Sequence, residues 1–298
     1  MSHNNQVTSL SLFLLLCLPM VYPSPSIAQV NPTEVVPLLA QNSDPSFQEL
    51  YQKAEEQYKN NNYVGALETY QNLLNQVTSL NNPLLQGATL TRLGLVNTYL
   101  RDYPEAERFY QEALTIYQER GDRKLEAMIQ DYLGVVYREQ GKLEAAKTAH
   151  EMALEIFRDL EIRSSEGIVL TNLANVYSAL EMPEMAVQLY EEALVIRREN
   201  QDRNGEGVIL DYLGVLYMNL KQLEMALQSH QDALAIFQEV GNRRSEAIAQ
   251  YNLGRVYQQL NQLTATRAAW EAALNIFGEL GDQQAQAQIR RQMDEIRE

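Results

Sequence analysis

The sequence predicts an all-α solenoid of about six antiparallel helical hairpins, followed by a C-terminal capping helix. Two observations lead to this fold class. A phrase of Leu followed by a small residue recurs every 40 residues, and apolar residues at helical spacing surround each copy. A fixed period of this size is typical of repeated supersecondary units that stack on their neighbours. The phrase occurs at Leu93-Gly94, Leu133-Gly134, Leu173-Ala174, Leu213-Gly214 and Leu253-Gly254.

The first element, residues 1–28, is predicted to be an export signal. The run from Leu10 to Tyr22 is almost wholly apolar, and Ser26 and Ala28 are the small residues that a signal peptidase requires. That run is too short to span a bilayer of about 30 Å as a helix. We therefore expect cleavage after Ala28, export from a bacterial cytoplasm to the periplasm or the exterior, and no stable membrane insertion afterwards. An uncleaved anchor is the alternative, because the first eleven residues contain no Lys or Arg.

The next element, residues 29–44, is predicted to be a flexible leader because it contains two prolines and no helical period. Cys17 is the only cysteine of the chain and lies inside the export signal. The large residue Leu16 before it disfavours a lipoprotein signal. We expect the mature chain to have no disulfide and no thiolate metal site.

The repeats follow the leader. In the third repeat, Leu125, Ile129 and Leu133 lie on one face of a predicted helix, and Ala146 and Ala153 lie on one face of the next. A short turn between two such helices makes an antiparallel hairpin, whose apolar faces are buried only against neighbouring hairpins. The predicted repeats are residues 45–81, 82–121, 122–161, 162–201, 202–241 and 242–281, and residues 282–298 form the capping helix.

The joints between repeats carry a second recurring phrase. Gly121, Gly241 and Gly281 suit the end of a helix, and the Asp or Asn that follows each of them suits the N-cap of the next helix. Four joints also have an Arg with a Glu three residues later, a spacing that brings the two together on one helix face. We expect a charged seam with a structural role, and leave open that these Arg residues also meet a ligand carboxylate. The pairs are Arg123/Glu126, Arg163/Glu166, Arg203/Glu206 and Arg243/Glu246.

Composition and motifs exclude several function classes. The net charge of −15 argues against nucleic-acid binding and is compatible with a basic partner. The sequence has no Ser-His-Asp arrangement, no phosphate-cradling glycine loop and no zinc spacing, so we expect no cofactor, no metal and no catalysis. His150 and His230 share their register position with Tyr190 and Trp270. They are interpreted as packing residues, with a metal-binding or pH-sensing pair as the less favoured alternative.

These residues resemble the tetratricopeptide repeat. That family has a Leu-Gly pair, a Tyr three residues later, and Ala residues in the second helix. The 40-residue period is similar to the branch that includes kinesin light chain and the Pins-type polarity scaffolds. The resemblance implies non-catalytic binding of a peptide or protein segment on a concave surface lined by the first helices. The third repeat supplies Leu133, Gly134, Tyr137, Ala146 and Ala153.

The resemblance also implies which residues line that surface. In Pins-type relatives the Asn of an Asn-Leu-Gly phrase helps to hold a peptide backbone, and Asn172 and Asn252 match that place. Further contacts are expected three residues before the glycine position, one after it and four after it. The predicted peptide-binding residues are Asp131, Arg138, Asn172, Asn175, Asp211, Met218, Tyr251, Asn252 and Arg255.

We therefore interpret the chain as an exported scaffold or adaptor that binds a protein or peptide segment. Three alternatives stay open from the sequence. The first is a regulator whose groove closes on a short signal peptide. The second is an envelope assembly factor that bridges several proteins. The third, if the N-terminus is not a signal, is a cytoplasmic scaffold. The sequence does not identify the partner.

Overall fold

The computed structural model describes residues 45–296, which form thirteen α-helices with no strand among them. The predicted export signal and leader lie outside these residues. The helices are α1 (Pro45–Lys59), α2 (Tyr63–Ser79), α3 (Pro83–Tyr99), α4 (Tyr103–Arg120), α5 (Arg123–Glu139), α6 (Leu143–Asp159), α7 (Arg163–Ala179), α8 (Pro183–Glu199), α9 (Arg203–Asn219), α10 (Leu223–Glu239), α11 (Arg243–Gln259), α12 (Leu263–Glu279) and α13 (Gln283–Glu295).

The described residues form two compact units, residues 45–196 and residues 197–296. The boundary between them lies within α8. In the first unit α1–α2, α3–α4 and α5–α6 form hairpins, and each hairpin packs on the one that follows it. In the second unit α9–α10 and α11–α12 do the same, and α13 packs against α12. The predicted fold class, an all-α solenoid of helical hairpins with a C-terminal helix, is confirmed.

A left-handed residue ends every helix from α1 to α12, and these residues recur every 20 positions. Each 40-residue repeat is therefore two half-repeats of one length. The backbone reverses direction at the left-handed residue, and the N–H of the residue after it donates a hydrogen bond to a carbonyl five residues earlier. Asp102 N–H, for example, donates to Asn97 O at 2.9 Å. Glycine adopts this conformation at Gly121, Gly141, Gly241 and Gly281, and other residues adopt it at Asn61, Asn81, Arg101, Glu161, Glu181, Gln201, Lys221 and Asn261.

Side chains of Asn and Asp cap the starts of most helices. Each cap accepts a hydrogen bond from the backbone N–H three residues later, which satisfies a donor that the helix leaves unpaired. The predicted sequence of a helix-ending Gly followed by a capping Asp or Asn is confirmed at all three joints where it was expected. The capping residues are Asn62, Asn82, Asp102, Asp122, Asp202, Asn242 and Asp282.

The glycines of the recurring phrase permit a close contact between the two helices of a hairpin. Each of these four glycines lies on the first helix of its hairpin and is covered by an aromatic or imidazole ring from the second helix. A Cβ on Gly134 or Gly214 would lie only 2.5 Å from Cε1 of His150 or His230. The prediction that these glycines serve helix packing is confirmed, and so is the interpretation of both histidines as packing residues. The contacts pair Gly94 with Tyr110, Gly134 with His150, Gly214 with His230, and Gly254 with Trp270.

We expect Gly214→Ala to lower the free energy of unfolding by about 1–3 kcal/mol, because the added methyl group overlaps the His230 ring. Gly278→Ala is the matched control. It lies in α12, where the nearest atom to an added Cβ is Gln286 Oε1 at 4.0 Å. Because Ala favours a helix over Gly, this variant should gain up to roughly 1 kcal/mol. Urea unfolding followed by circular dichroism measures both, and equal effects of the two changes would contradict the packing role.

Candidate functional site

The predicted peptide-binding residues all lie on first helices of hairpins. Asp131 and Arg138 are on α5, and Asn172 and Asn175 are on α7, all in the unit of residues 45–196. The remaining five lie on two first helices of the unit of residues 197–296. They are Asp211 and Met218 on α9, and Tyr251, Asn252 and Arg255 on α11.

In the first unit, Asp131 is the centre of a buried polar network. Its Oδ1 lies 2.7 Å from His150 Nδ1, and both oxygens accept hydrogen bonds from Asn172 Nδ2, at 3.0 and 3.1 Å. Asp131 is only 2% exposed, and its two partners are also buried. The three side chains thus form one buried hydrogen-bonded group.

The second unit contains the same network 80 residues later. Asp211 Oδ1 lies 2.6 Å from His230 Nδ1, and Asp211 Oδ2 accepts from Asn252 Nδ2 at 2.9 Å. Asp211 is 1% exposed. His230 Nε2 is buried and has no hydrogen-bond partner among residues 45–296.

Each network links three helices. The aspartate is on the first helix of a hairpin, the histidine on its second helix, and the asparagine on the first helix of the next hairpin. A buried carboxylate without partners is costly, so these bonds fix the relative positions of the three helices. Asp131, Asn172, Asp211 and Asn252 thus have a structural role in the free protein. Their contact with a peptide stays a prediction.

Two other predicted residues are buried in the second unit. Met218 is almost fully buried, and so is Tyr251. The Tyr251 hydroxyl donates to Gln292 Oε1 on α13 at 2.8 Å, and its backbone carbonyl accepts from Trp270 Nε1 at 3.0 Å. Tyr251 therefore joins the last hairpin to the capping helix.

The remaining predicted residues are half-buried and offer polar groups at the surface of the first helices. Asn175 Oδ1 accepts from the Tyr190 hydroxyl at 2.6 Å, so that this hydrogen bond uses the oxygen of the Asn175 amide and not its NH₂ group. Arg138 Nη2 forms an ion pair with Glu139 at 2.8 Å. Arg255 Nη1 is buried and has no hydrogen-bond partner within the described part of the chain. Contact of Asn175, Arg138 and Arg255 with a ligand stays a prediction.

One cluster was not singled out from the sequence. Arg92 lies at the register position that Asn172 and Asn252 occupy in later repeats, and it is 2% exposed. Its Nη2 forms an ion pair with Glu55 Oε1 at 2.5 Å, and the Tyr70 hydroxyl donates to the same oxygen. The feature of the sequence that could have identified this cluster is an Arg at a register position that holds Tyr or Asn in the other repeats. Glu55 lies 37 residues away in the least regular repeat, and no sequence pattern marks it.

The Arg residues of the joints are engaged in ion pairs, as a structural seam requires. Glu166 accepts from Arg163 at 2.8 Å and from Arg158 of the preceding helix at 3.0 Å. Burial raises the pKa of Glu166, but the hydrogen bonds and charges of these two Arg residues outweigh it and leave the pKa below its ordinary value.

Two further joints also pair the Arg with the Glu three residues later, and the first joint does not. Arg203 and Arg243 each pair with the Glu three residues later and with a Glu at the end of the following helix. In the first joint the partners differ: Arg123 lies 3.7 Å from Asp159, and Glu126 accepts from Gln118.

Within residues 45–296, no group of three or more His, Cys, Asp or Glu side chains is placed to hold a metal ion. None of the helices in this range has the length and apolar character needed to cross a membrane.

We expect Asp211→Ala to lower the free energy of unfolding by about 3 kcal/mol, because it leaves the His230 and Asn252 donors buried without an acceptor. Asp232→Ala is the matched control, since Asp232 is exposed on α10 and, among residues 45–296, accepts only from Gln228. The control should change stability by less than about 0.5 kcal/mol. Urea titration of both variants measures the difference, and an effect of Asp211→Ala as small as that of the control would rule out the network as a source of stability.

Comparisons with known proteins agree with this architecture. The family model of the tetratricopeptide repeat matches residues 85–159, 125–199 and 205–279. No curated protein sequence matches the chain. Among solved structures, BtubC (BKLC) from P. vanneervenii is similar, with 23% identity, a TM-score of 0.63, and coverage of 78% of this chain and 92% of that chain.

Two further solved structures are also similar. A Rap protein complexed with Competence and Sporulation Factor has 13% identity, a TM-score of 0.63, and coverage of 90% of this chain and 80% of its own. The apo form of the quorum sensor NprR from B. thuringiensis has 15% identity, a TM-score of 0.63, and coverage of 87% and 72%. At these identities the similarity shows the fold alone. Because the family model matches more than half of the chain, the protein belongs to the tetratricopeptide repeat family.

Proposed function

We propose that the protein is a non-catalytic scaffold that binds a peptide or protein segment along the first helices of its hairpins. The observation that carries the proposal is that Arg255, half-buried on the first helix α11, has an Nη1 group with no hydrogen-bond partner among the described residues. Such groups gain most from a ligand that supplies acceptors, as a peptide backbone does. Membership of the tetratricopeptide repeat family supports the same assignment.

The buried histidines support a non-catalytic role. An Asp–His pair activates a nucleophile only if the second ring nitrogen faces one. In the unit of residues 197–296, His230 Nε2 meets no hydrogen-bonding group of the described residues, and its ring lies on Gly214. The arrangement fills the hairpin rather than preparing a reacting group.

A second candidate function is a peptide-responsive regulator. The structural similarity to a Rap protein complexed with Competence and Sporulation Factor and to the quorum sensor NprR favours it. A regulator changes its dimensions when a short peptide binds, whereas a static adaptor does not. Small-angle scattering with and without a bound peptide separates the two: a lower radius of gyration supports the regulator, and an unchanged radius supports the adaptor.

We also propose that the protein is exported and that its partner is a protein segment rather than nucleic acid. The apolar run and the small residues before Gln29 support export. The net charge of −15 supports a basic partner surface. An envelope assembly factor that bridges several proteins is one form that such an exported scaffold takes.

We expect Asn175→Ala and Arg255→Ala, made separately, each to weaken peptide binding about fivefold in the unit that it belongs to, because each removes one polar contact worth about 1 kcal/mol. The measurement is binding of purified protein to an array of random peptides, followed by titration of the strongest binders. Glu224→Ala is the control, since Glu224 is exposed on a second helix. If Glu224→Ala weakens binding and neither of the other two variants does, recognition uses another face.

We expect the protein expressed with its natural N-terminus in a bacterial host to be recovered from the periplasm with Gln29 as its first residue. The small residues Ser26 and Ala28 direct the cut. Intact mass spectrometry of the purified protein measures this. Ala28→Asp, which places a charge at the cleavage position, should leave the signal attached. Recovery of an uncleaved native chain in the cytoplasm would favour the cytoplasmic scaffold.

A further inference from the structure

We propose that the first unit binds a basic amphipathic helix of a partner protein in a groove between two of its second helices, α6 and α8. The α6–α8 groove is defined by Glu151, Glu155 and Asp159 on α6 and by Met185 and Val195 on α8. All of them belong to the unit of residues 45–196. The proposal goes beyond the proposed function, because this surface is made by second helices and shares no residue with the first-helix surface.

The groove offers open space beside α6. Arg158 of α6 forms an ion pair with Glu192 of α8, with Nη2 and Oε1 2.5 Å apart, and both side chains are about half-exposed. Because this pair spans the space between the two helices, the wall that contains Arg158 faces α8. A surface depression of about 350 Å³ lies along this wall, and its lining residues are Glu151, Leu154, Glu155, Arg158 and Asp159.

The α6 wall presents carboxylates at intervals of one helical turn. Glu151, Glu155 and Asp159 are exposed and follow one another in steps of about 6 Å along the helix. Glu155 has no ion-pair partner among residues 45–296. Glu151 accepts only a neutral donor, the Tyr177 hydroxyl at 3.3 Å, and Asp159 lies 3.7 Å from Arg123. These carboxylates therefore keep most of their negative charge available to a partner.

The cations of the same wall are already engaged. Lys147 pairs with Glu144 at 2.8 Å. Arg158 is shared between Glu192 and Glu166, at 2.5 and 3.0 Å. Neither cation is left to neutralise the exposed carboxylates, so the wall attracts positive charge.

The acidic wall is a local feature of α6 and does not follow from the repeat. Glu155 stands at a register position that holds no acidic residue in any other second helix of the described chain. The corresponding residues are Asn75, Thr115, Val195, Ala235 and Asn275.

The α8 wall of the groove adds exposed apolar side chains. Met185 lies seven residues before Glu192, and Val195 lies three residues after it, so both share the helix face that Glu192 turns towards Arg158. Met185 is 38% exposed and Val195 is 52% exposed. Covering them with apolar atoms of a partner is favourable, and the flexible Met side chain adapts to the shape of what covers it.

The chemistry of the two walls defines one kind of partner. A partner helix rises by the same 1.5 Å per residue as α6, so Lys or Arg residues at four-residue intervals match the spacing of the carboxylates. An amphipathic helix carries its apolar stripe beside its charged face and can meet both walls at once. The same carboxylates repel a nucleic acid or an anionic membrane surface.

The test is fluorescence anisotropy of the purified protein with a labelled synthetic helix that carries Lys at four-residue intervals and Leu along the adjacent stripe. Two control helices replace either every Lys or every Leu by Gln. We expect the first helix to bind saturably, and each control helix to bind at least tenfold more weakly. Raising the salt concentration to about 0.5 M should weaken binding of the first helix at least tenfold, because the carboxylates are exposed to ions.

Two pairs of variants locate the binding. Glu155→Lys should weaken binding about tenfold, because it reverses a charge that faces the probe. Glu68→Lys, on the exposed side of α2, changes the net charge equally and should leave the affinity unchanged within about twofold. Met185→Gln should weaken binding about threefold, whereas Met225→Gln, at the same register position in the other unit, should not. Circular dichroism of each variant checks that the helices stay folded.

Three results would each overturn the proposal. Equal effects of Glu155→Lys and Glu68→Lys would show that net charge alone attracts the probe. Equal binding of the helix without Leu would remove the apolar contact. Loss of binding in Asn175→Ala with full binding in Glu155→Lys would place the probe on the first helices, which would support the proposed function and rule out the α6–α8 groove.

Discussion

The contact on which the rest of the structure depends is the ring that lies on a glycine between the two helices of a hairpin. Without a Cβ at Gly134 or Gly214, the first helix comes close enough for a histidine ring to occupy the space directly above it. A helical glycine costs about 1 kcal/mol relative to alanine, and close packing offsets that cost. The same arrangement with Tyr or Trp in other repeats shows that the requirement is a flat ring rather than a particular chemistry.

The ring contact also determines which polar groups meet. A ring on the glycine is within reach of the residue one helical turn earlier. His150 and His230 therefore bond to the Asp side chains three residues before the glycine, and Trp270 bonds to the backbone carbonyl at the same place. The network then extends to the Asn of the next hairpin. Steric packing thus sets the hydrogen bonding, and the hydrogen bonding links one hairpin to the next.

The charges of the chain are organised in two ways. At the joints, half-exposed Arg side chains pair with largely buried carboxylates such as Glu166 and Glu246. In the interior of the first unit, Arg92 and Glu55 are paired out of water, where a missing partner has a large effect.

The sequence by itself determined the helical hairpins, their period, the capping residues and the role of the glycines, because each depends on residues close together in the chain. It also placed the candidate residues on the first helices. It did not show that Asp131 and Asp211 are engaged by histidines 19 residues away and asparagines 41 residues away, or that Arg92 is buried against Glu55. Only the tertiary structure decided those points, because hydrogen-bond partners and burial depend on which helices pack together, and no local pattern of residues encodes them.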